Sequence, residues 1–141
     1  MKTFSTSKIN LVILRNGFRA LSPKDLTIAD IDVIMDKVVP KLNEVLGEDV
    51  VGMYDKHVKD INDFRRENAG KELKREDVEA KMAEISVPIV QWEKEHGDDK
   101  SEVSFEDSDY SSFKTLLNSH AKDWFGSIDA FYSFNQDIKK V

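Results

Sequence analysis

"TIADIDVIMDKVVPKLNEVL", residues 27–46, is the stretch on which the reading of the chain turns. Thr27 with Asp30 three residues on is a helix-start signal, because each side chain can reach the other's backbone N–H. Ile28, Ile31, Met35, Val38, Leu42 and Val45 then recur in steps of three and four. That spacing is a heptad seam, the pattern by which one helix lies along another. Pro40 falls inside it, where a missing N–H and a clashing ring predict a kink.

Working outward toward the C-terminus, "LGEDVVG" predicts an irregularity between Gly47 and Gly52. The helical pattern resumes with Val50, Met53 or Tyr54, Val58, Ile61 and Phe64. "ENAGK" ends it, with Gly70 free to take the left-handed conformation that closes helices. Val78, Met82, Ile85, Ile89 and Trp92 mark the next helix, "REDVEAKMAEISVPIVQWEKEHG", in which Pro88 predicts a second kink and Gly97 a stop. Two such stripes joined by a short glycine turn predict an antiparallel helical hairpin over 27–97. The stripe from Ile28 to Phe64 is longer than its partner from Val78 to Trp92, which leaves apolar surface for another molecule to cover.

Toward the N-terminus, "LSPKD" carries a further start signal at Ser22 and Pro23. Before it, "INLVILR" fits either a helix or a short buried strand, since periodicity cannot separate them over so few residues. Helix is preferred, with Phe4, Ser5 and Ile9 forming a hydrophobic staple around the cap. Beyond Gly97 the period changes: Val103 and Phe105 alternate with polar residues and predict a strand. Asp107 or Ser108 then caps a helix carrying Tyr110, Phe113, Leu117 and Trp124. Gly126 interrupts it, and Ser127 opens a last helix marked by Ile128, Phe131, Asn135 and Ile138. A lone strand needs a partner, and "KTFS" near the N-terminus is the available one. The expected fold is therefore mainly α, of the α+β kind, in a single domain spanning 1–141. It comprises the long hairpin, shorter N- and C-terminal helices with a strand within 101–141, and a small two-stranded sheet joining the ends.

Composition excludes several functions. The 141 residues contain no cysteine, which removes disulfide frameworks, thiolate metal sites and cysteine nucleophiles. With 40% hydrophobic and 34% charged residues, the chain is too apolar and too periodic to be disordered. A net charge of −6 argues against nucleic-acid binding, which needs a basic stripe against the phosphates. The apolar core of the opening segment, Ile9 to Leu14, is too short for a signal peptide, and no window approaches the ~20 apolar residues of a membrane span. A soluble, cytoplasmic protein is expected.

The order of parts resembles small uncharacterised proteins encoded by tailed phages, with "VSFEDSDYSSFKTLL" as the most specific piece. The resemblance is one of pattern and carries no catalytic residue across. It implies a phage-encoded virion component or host-directed factor, in the virion or the host cytoplasm.

Candidate chemistry is sparse. Glu93, Glu95, His96, Asp98, Asp99 and Glu102 could supply oxygen and nitrogen to a divalent ion. Their spacing matches neither an EF-hand loop nor a two-histidine zinc helix, so no metal ligand is assigned, and Glu93, His96, Asp98 and Asp99 stand as the candidates. His57 and His120 fit the rims of helix stripes. A catalytic triad would need a serine beside one of them, and no strained nucleophile turn appears. Phosphate-binding glycine loops are missing, so no cofactor is expected.

Trp124, Phe125, Phe131, Tyr132 and Phe134 crowd into eleven residues and cannot all face one core. With Tyr54 and Trp92 they are the candidate partner interface, because such rings are enriched at binding hot spots. The expected function is non-enzymatic: binding another protein, or self-association. Two alternatives stand beside it. From Glu93 to Asp109 there are eight acids and two lysines, a density suited to occupying a basic groove on a host protein. A small metal-dependent hydrolase would instead use the carboxylate–histidine set.

Overall fold

A computed structural model describes residues 1–139, and the chain divides into two compact units. One is built from Met1–Leu46 and the chain from Asp98 onward; the other is Gly47–Gly97. The fold is mainly α with a small two-stranded antiparallel sheet.

In the first unit, strand β1 (Lys2–Ser7) pairs with β2 (Lys100–Phe105), in a register that sets Phe4 opposite Val103 and Lys2 opposite Phe105. Period-two alternation puts Phe4, Thr6, Val103 and Phe105 on the buried face. On the other face the hydroxyls of Thr3 and Ser104 lie 2.7 Å apart. The sheet does join the two ends, as the lone-strand argument required.

Helix α1 (Lys8–Ala20) settles residues 9–15 as helical. Its cap is Ser7, whose Oγ accepts the Asn10 N–H at 3.3 Å. The expected cap, Ser5, is held extended by its place in the ladder opposite Glu102, so the staple does not form and Phe4 joins the core instead. Leu11, Val12, Leu14 and Phe18 are buried.

The 27–46 stretch is a helix in three parts: α2 (Ile28–Val33), a wide π turn over Ile34–Val38, and α3 (Val39–Leu46). Thr27 and Asp30 form the capping box, with bonds of 3.1 and 3.2 Å. The wide turn sits immediately before Pro40, and the Val39 N–H reaches back five residues to the Ile34 carbonyl. A proline ring collides with the carbonyl four residues earlier, and widening the turn by one residue relieves the collision. One extra residue also rotates the helix face by about 100°. The expected seam is therefore wrong at two places: Ile28 and Met35 are exposed, and the buried line is Ile34, Val38, Leu42 and Leu46, with Val39 beside it.

Helix α6 (Asp107–His120) begins at Glu106, whose carbonyl accepts the Tyr110 N–H at 2.8 Å. The expected side-chain caps, Asp107 and Ser108, lie one and two positions inside, where Asp107 and Asp109 complement the helix dipole. Helix α7 (Ile128–Lys139) is capped as expected, Ser127 Oγ accepting the Ala130 N–H at 3.1 Å. Phe113 is the hub of this core, with ring centroids 5.7 Å from Phe4, 5.9 Å from Phe18 and 4.9 Å from Phe105.

The second unit is the hairpin: α4 (Glu48–Glu67) packed against α5 (Arg75–His96). It starts at Gly47, whose φ of 91° only glycine adopts readily, so the hairpin is shorter than the predicted 27–97 span. Gly52 lies inside α4, and Gly70, at φ 77°, sits in the turn. The arms have 20 and 22 residues, so the first arm is not the longer one that the stripe from Ile28 to Phe64 predicted. Tyr54, His57, Ile61 and Phe64 turn inward, and Val58, expected there, points to solvent.

Candidate functional site

The carboxylate–histidine set does not assemble. Glu93 Oε1 accepts the Tyr54 hydroxyl at 2.8 Å across the hairpin. His96 ends α5 with its Nε2 3.9 Å from a Glu95 carboxylate oxygen. Asp98 and Asp99 begin the return into the other unit, where the Asp99 carbonyl accepts the Lys8 N–H at 2.8 Å. Among the described residues, no group of three or more histidine and carboxylate side chains is arranged to hold a metal ion.

One juxtaposition escaped the sequence reading. His57 Nε2 lies 3.1 Å from Ser86 Oγ, an interhelical hydrogen bond between residues 29 apart in the chain. A nucleophilic serine also needs N–H groups aimed at a developing oxyanion. Ser86 lies inside α5, where backbone N–H groups are committed to the helix ladder. The pair acts as a polar cross-link in the hairpin seam. No local signal marks it, since His57 and Val58 fit the stripe equally well by spacing.

The partner-interface candidates separate by burial. Phe125 and Phe134 are core residues, stacked at 5.2 Å. Trp124 lies edge-on to Phe18 at 4.9 Å and covers Gly17, where a Cβ would come within 2.2 Å of the indole. Tyr54 and Trp92 meet edge to face at 6.0 Å inside the hairpin. Burial, then the hydrogen bond to Glu93, then the Glu93 charge hold the Tyr54 hydroxyl far above the ordinary tyrosine range. What remains outside is one face of α7. Ile128 is 58% and Tyr132 60% exposed, with Phe131 half-buried beside them. With Lys122 these residues line a cleft of about 180 Å³.

Two larger grooves are charged. One of about 410 Å³ in the hairpin is lined by Asp60, Asp63, Glu67 and Glu84 together with Lys56 and Lys81. One of about 290 Å³ in the first unit sets Glu106 and Asp109 on a rim shared with Lys37 and Lys41. The acidic run is thus divided between α5 in one unit and β2 and α6 in the other, with lysines interleaved at its second half.

No helix among the described residues is long and apolar enough to cross a membrane. No protein-family model, curated protein or solved structure matches the chain.

Proposed function

We propose that this is a non-enzymatic protein that works by binding another protein, through the exposed face of α7. The observation that carries the reading is the pairing of Ile128 and Tyr132, both more than half exposed, in a cleft that half-buried Phe131 also lines. Apolar side chains clustered around a concavity are the usual form of a partner surface. At about 180 Å³ the cleft falls below the 300–1,000 Å³ typical of small-molecule sites but accommodates one apolar side chain. Lys122 at its edge favours a partner with an acidic residue beside that anchor. The resemblance of "VSFEDSDYSSFKTLL" to phage-encoded proteins would set this partner in a virion or an infected host.

Affinity recovery from infected-cell extract, with the wild type and with Ile128→Asp and Tyr132→Ala variants, tests the proposal. A protein retained by the wild type and lost with either variant is the expected result. Identical recovery by all three, or recovery of nothing, would end it.

A further inference from the structure

Helix α5 is apolar on two opposite faces. Val78, Met82, Ile85, Ile89 and Trp92 turn toward α4. Half a turn away, Ala80, Ala83, Val87 and Val90 form a second stripe in steps of three, four and three, and all four are exposed, Val87 by 56% and Val90 by 59%. Continuing the same steps outward, the stripe ends in Glu76 on one side and Lys94 on the other, both also exposed. A surface helix with a single core normally shows charged residues opposite its buried face. Pro88, which borders the charged groove, lies off this stripe and leaves it unbroken.

We infer that the outer stripe of α5 pairs with the same stripe of a second copy, antiparallel, about a two-fold axis level with Ile85. In that register Ala83 faces Val87 of the other copy, Ala80 faces Val90, and Glu76 faces Lys94, so each small side chain meets a larger one and each charge meets its opposite. Two-fold pairing of this kind is isologous, every contact occurring twice. A parallel pairing would set Glu76 against Glu76 and Lys94 against Lys94, and like charges at such positions are repulsive. Acid early and base late in a helix is also what its dipole favours. The dipole, however, does not require those charges to fall in line with the apolar stripe, and here they do. Glu84 comes near its own counterpart beside the axis, where Lys81, 3.6 Å from it, offsets the repulsion.

The stripe from Glu76 to Lys94 is about 27 Å long at 1.5 Å per residue. Two such faces together bury on the order of 1,000 Å², the low end of specific interfaces, so association belongs at micromolar concentrations. This surface is distinct from the α7 cleft, and either can fail without the other.

Sedimentation equilibrium over roughly 5–500 µM decides it. The wild type should approach about twice the monomer mass of 16.2 kDa. Val87→Glu with Val90→Glu should remain monomeric with unchanged circular dichroism. Glu76→Lys should weaken association at least several-fold, and adding Lys94→Glu should restore it to within about twofold, a rescue that a merely unfolded variant would not show. The chain has no cysteine, so introduced thiols report orientation. A mixture of Ala80→Cys and Val90→Cys proteins should form the mixed disulfide in preference to either symmetric one. A wild type monomeric throughout, variants that associate like the wild type, or preferential Ala80→Cys homodimers would each overturn the inference.

Discussion

Substituting Gly17 by alanine sets two effects against each other, and the packing of Trp124 decides the sign. Inside a helix alanine is favoured over glycine by about 0.8–1.0 kcal/mol, and Gly17 lies well within α1. Yet the new Cβ would sit 2.2, 2.4 and 2.6 Å from three indole carbons of Trp124. Carbon–carbon contacts rest near 3.5–4.0 Å, so the ring must retreat by roughly 1.5 Å. Retreat opens its edge-on contact with Phe18, now at 4.9 Å, a geometry worth about 0.5–1.5 kcal/mol. It also uncovers on the order of 60 Å² of ring, about 1.5 kcal/mol at ~25 cal/mol/Å². The net expectation for Gly17→Ala is a loss of about 1–2 kcal/mol, or ~3–6 °C in the melting temperature. Urea denaturation in a Trp92→Phe background, with Trp124 as the sole indole, measures it directly. In a Trp124→Ala background the collision is gone, and the same substitution should stabilise by about 1 kcal/mol. An equal effect in both backgrounds would refute the reasoning, because it would mean that the ring does not close on the glycine.

Three further predictions concern other parts of the molecule. Burial and Glu93 keep Tyr54 neutral in the folded hairpin, so the unfolded chain releases the tyrosine proton first as pH passes about 10. Tyr54's contribution to stability should be constant below that pH and fall above it, and Tyr54→Phe should lessen the alkaline slope in denaturation curves recorded from pH 8 to 11. Asp137 Oδ2 accepts the fully buried Thr6 hydroxyl at 2.8 Å, and that hydroxyl in turn accepts from Asn10 at 2.9 Å. Asp137→Ala should cost about 1–3 kcal/mol in urea denaturation by stranding the hydroxyl, and adding Thr6→Val should recover part of the loss. Gly47 combines φ 91° with ψ 154°, and no atom lies within 4 Å of a Cβ placed there. Gly47→Ala should therefore cost about 1–3 kcal/mol through backbone strain alone, read from Trp92 fluorescence during denaturation; a neutral result would contradict that conformation.

Much of the local structure of residues 1–139 was legible, although the caps expected at Ser5 and at Asp107 or Ser108 fall instead at Ser7 and Glu106. The Thr27–Asp30 box, the Ser127 cap, the Gly70 turn and the alternation of Val103 and Phe105 each depend on groups within about four residues of one another, and each formed as its residue types require. The pairing of β1 with β2 followed from a different constraint, that a strand cannot leave its ladder unpaired. Of the candidate site residues, the crowding of aromatics correctly implied that some must remain outside, but not that Tyr132 would be exposed while Phe134 was buried. Tertiary packing decided the rest. Spacing in steps of three and four does not reveal a turn widened by one residue, and the wide turn before Pro40 moved the buried face from Met35 to Ile34. Nor could spacing choose between His57 and Val58, because what holds His57 in the seam is Ser86, a partner brought within reach only when the hairpin closes. Sequence by itself determined most segments as helix or strand, since those preferences reside in neighbouring residues, but residues 9–15 were fixed as helix only by the folded chain. Which face of each helix is covered depends on partners far along the chain, and only the folded arrangement supplies them.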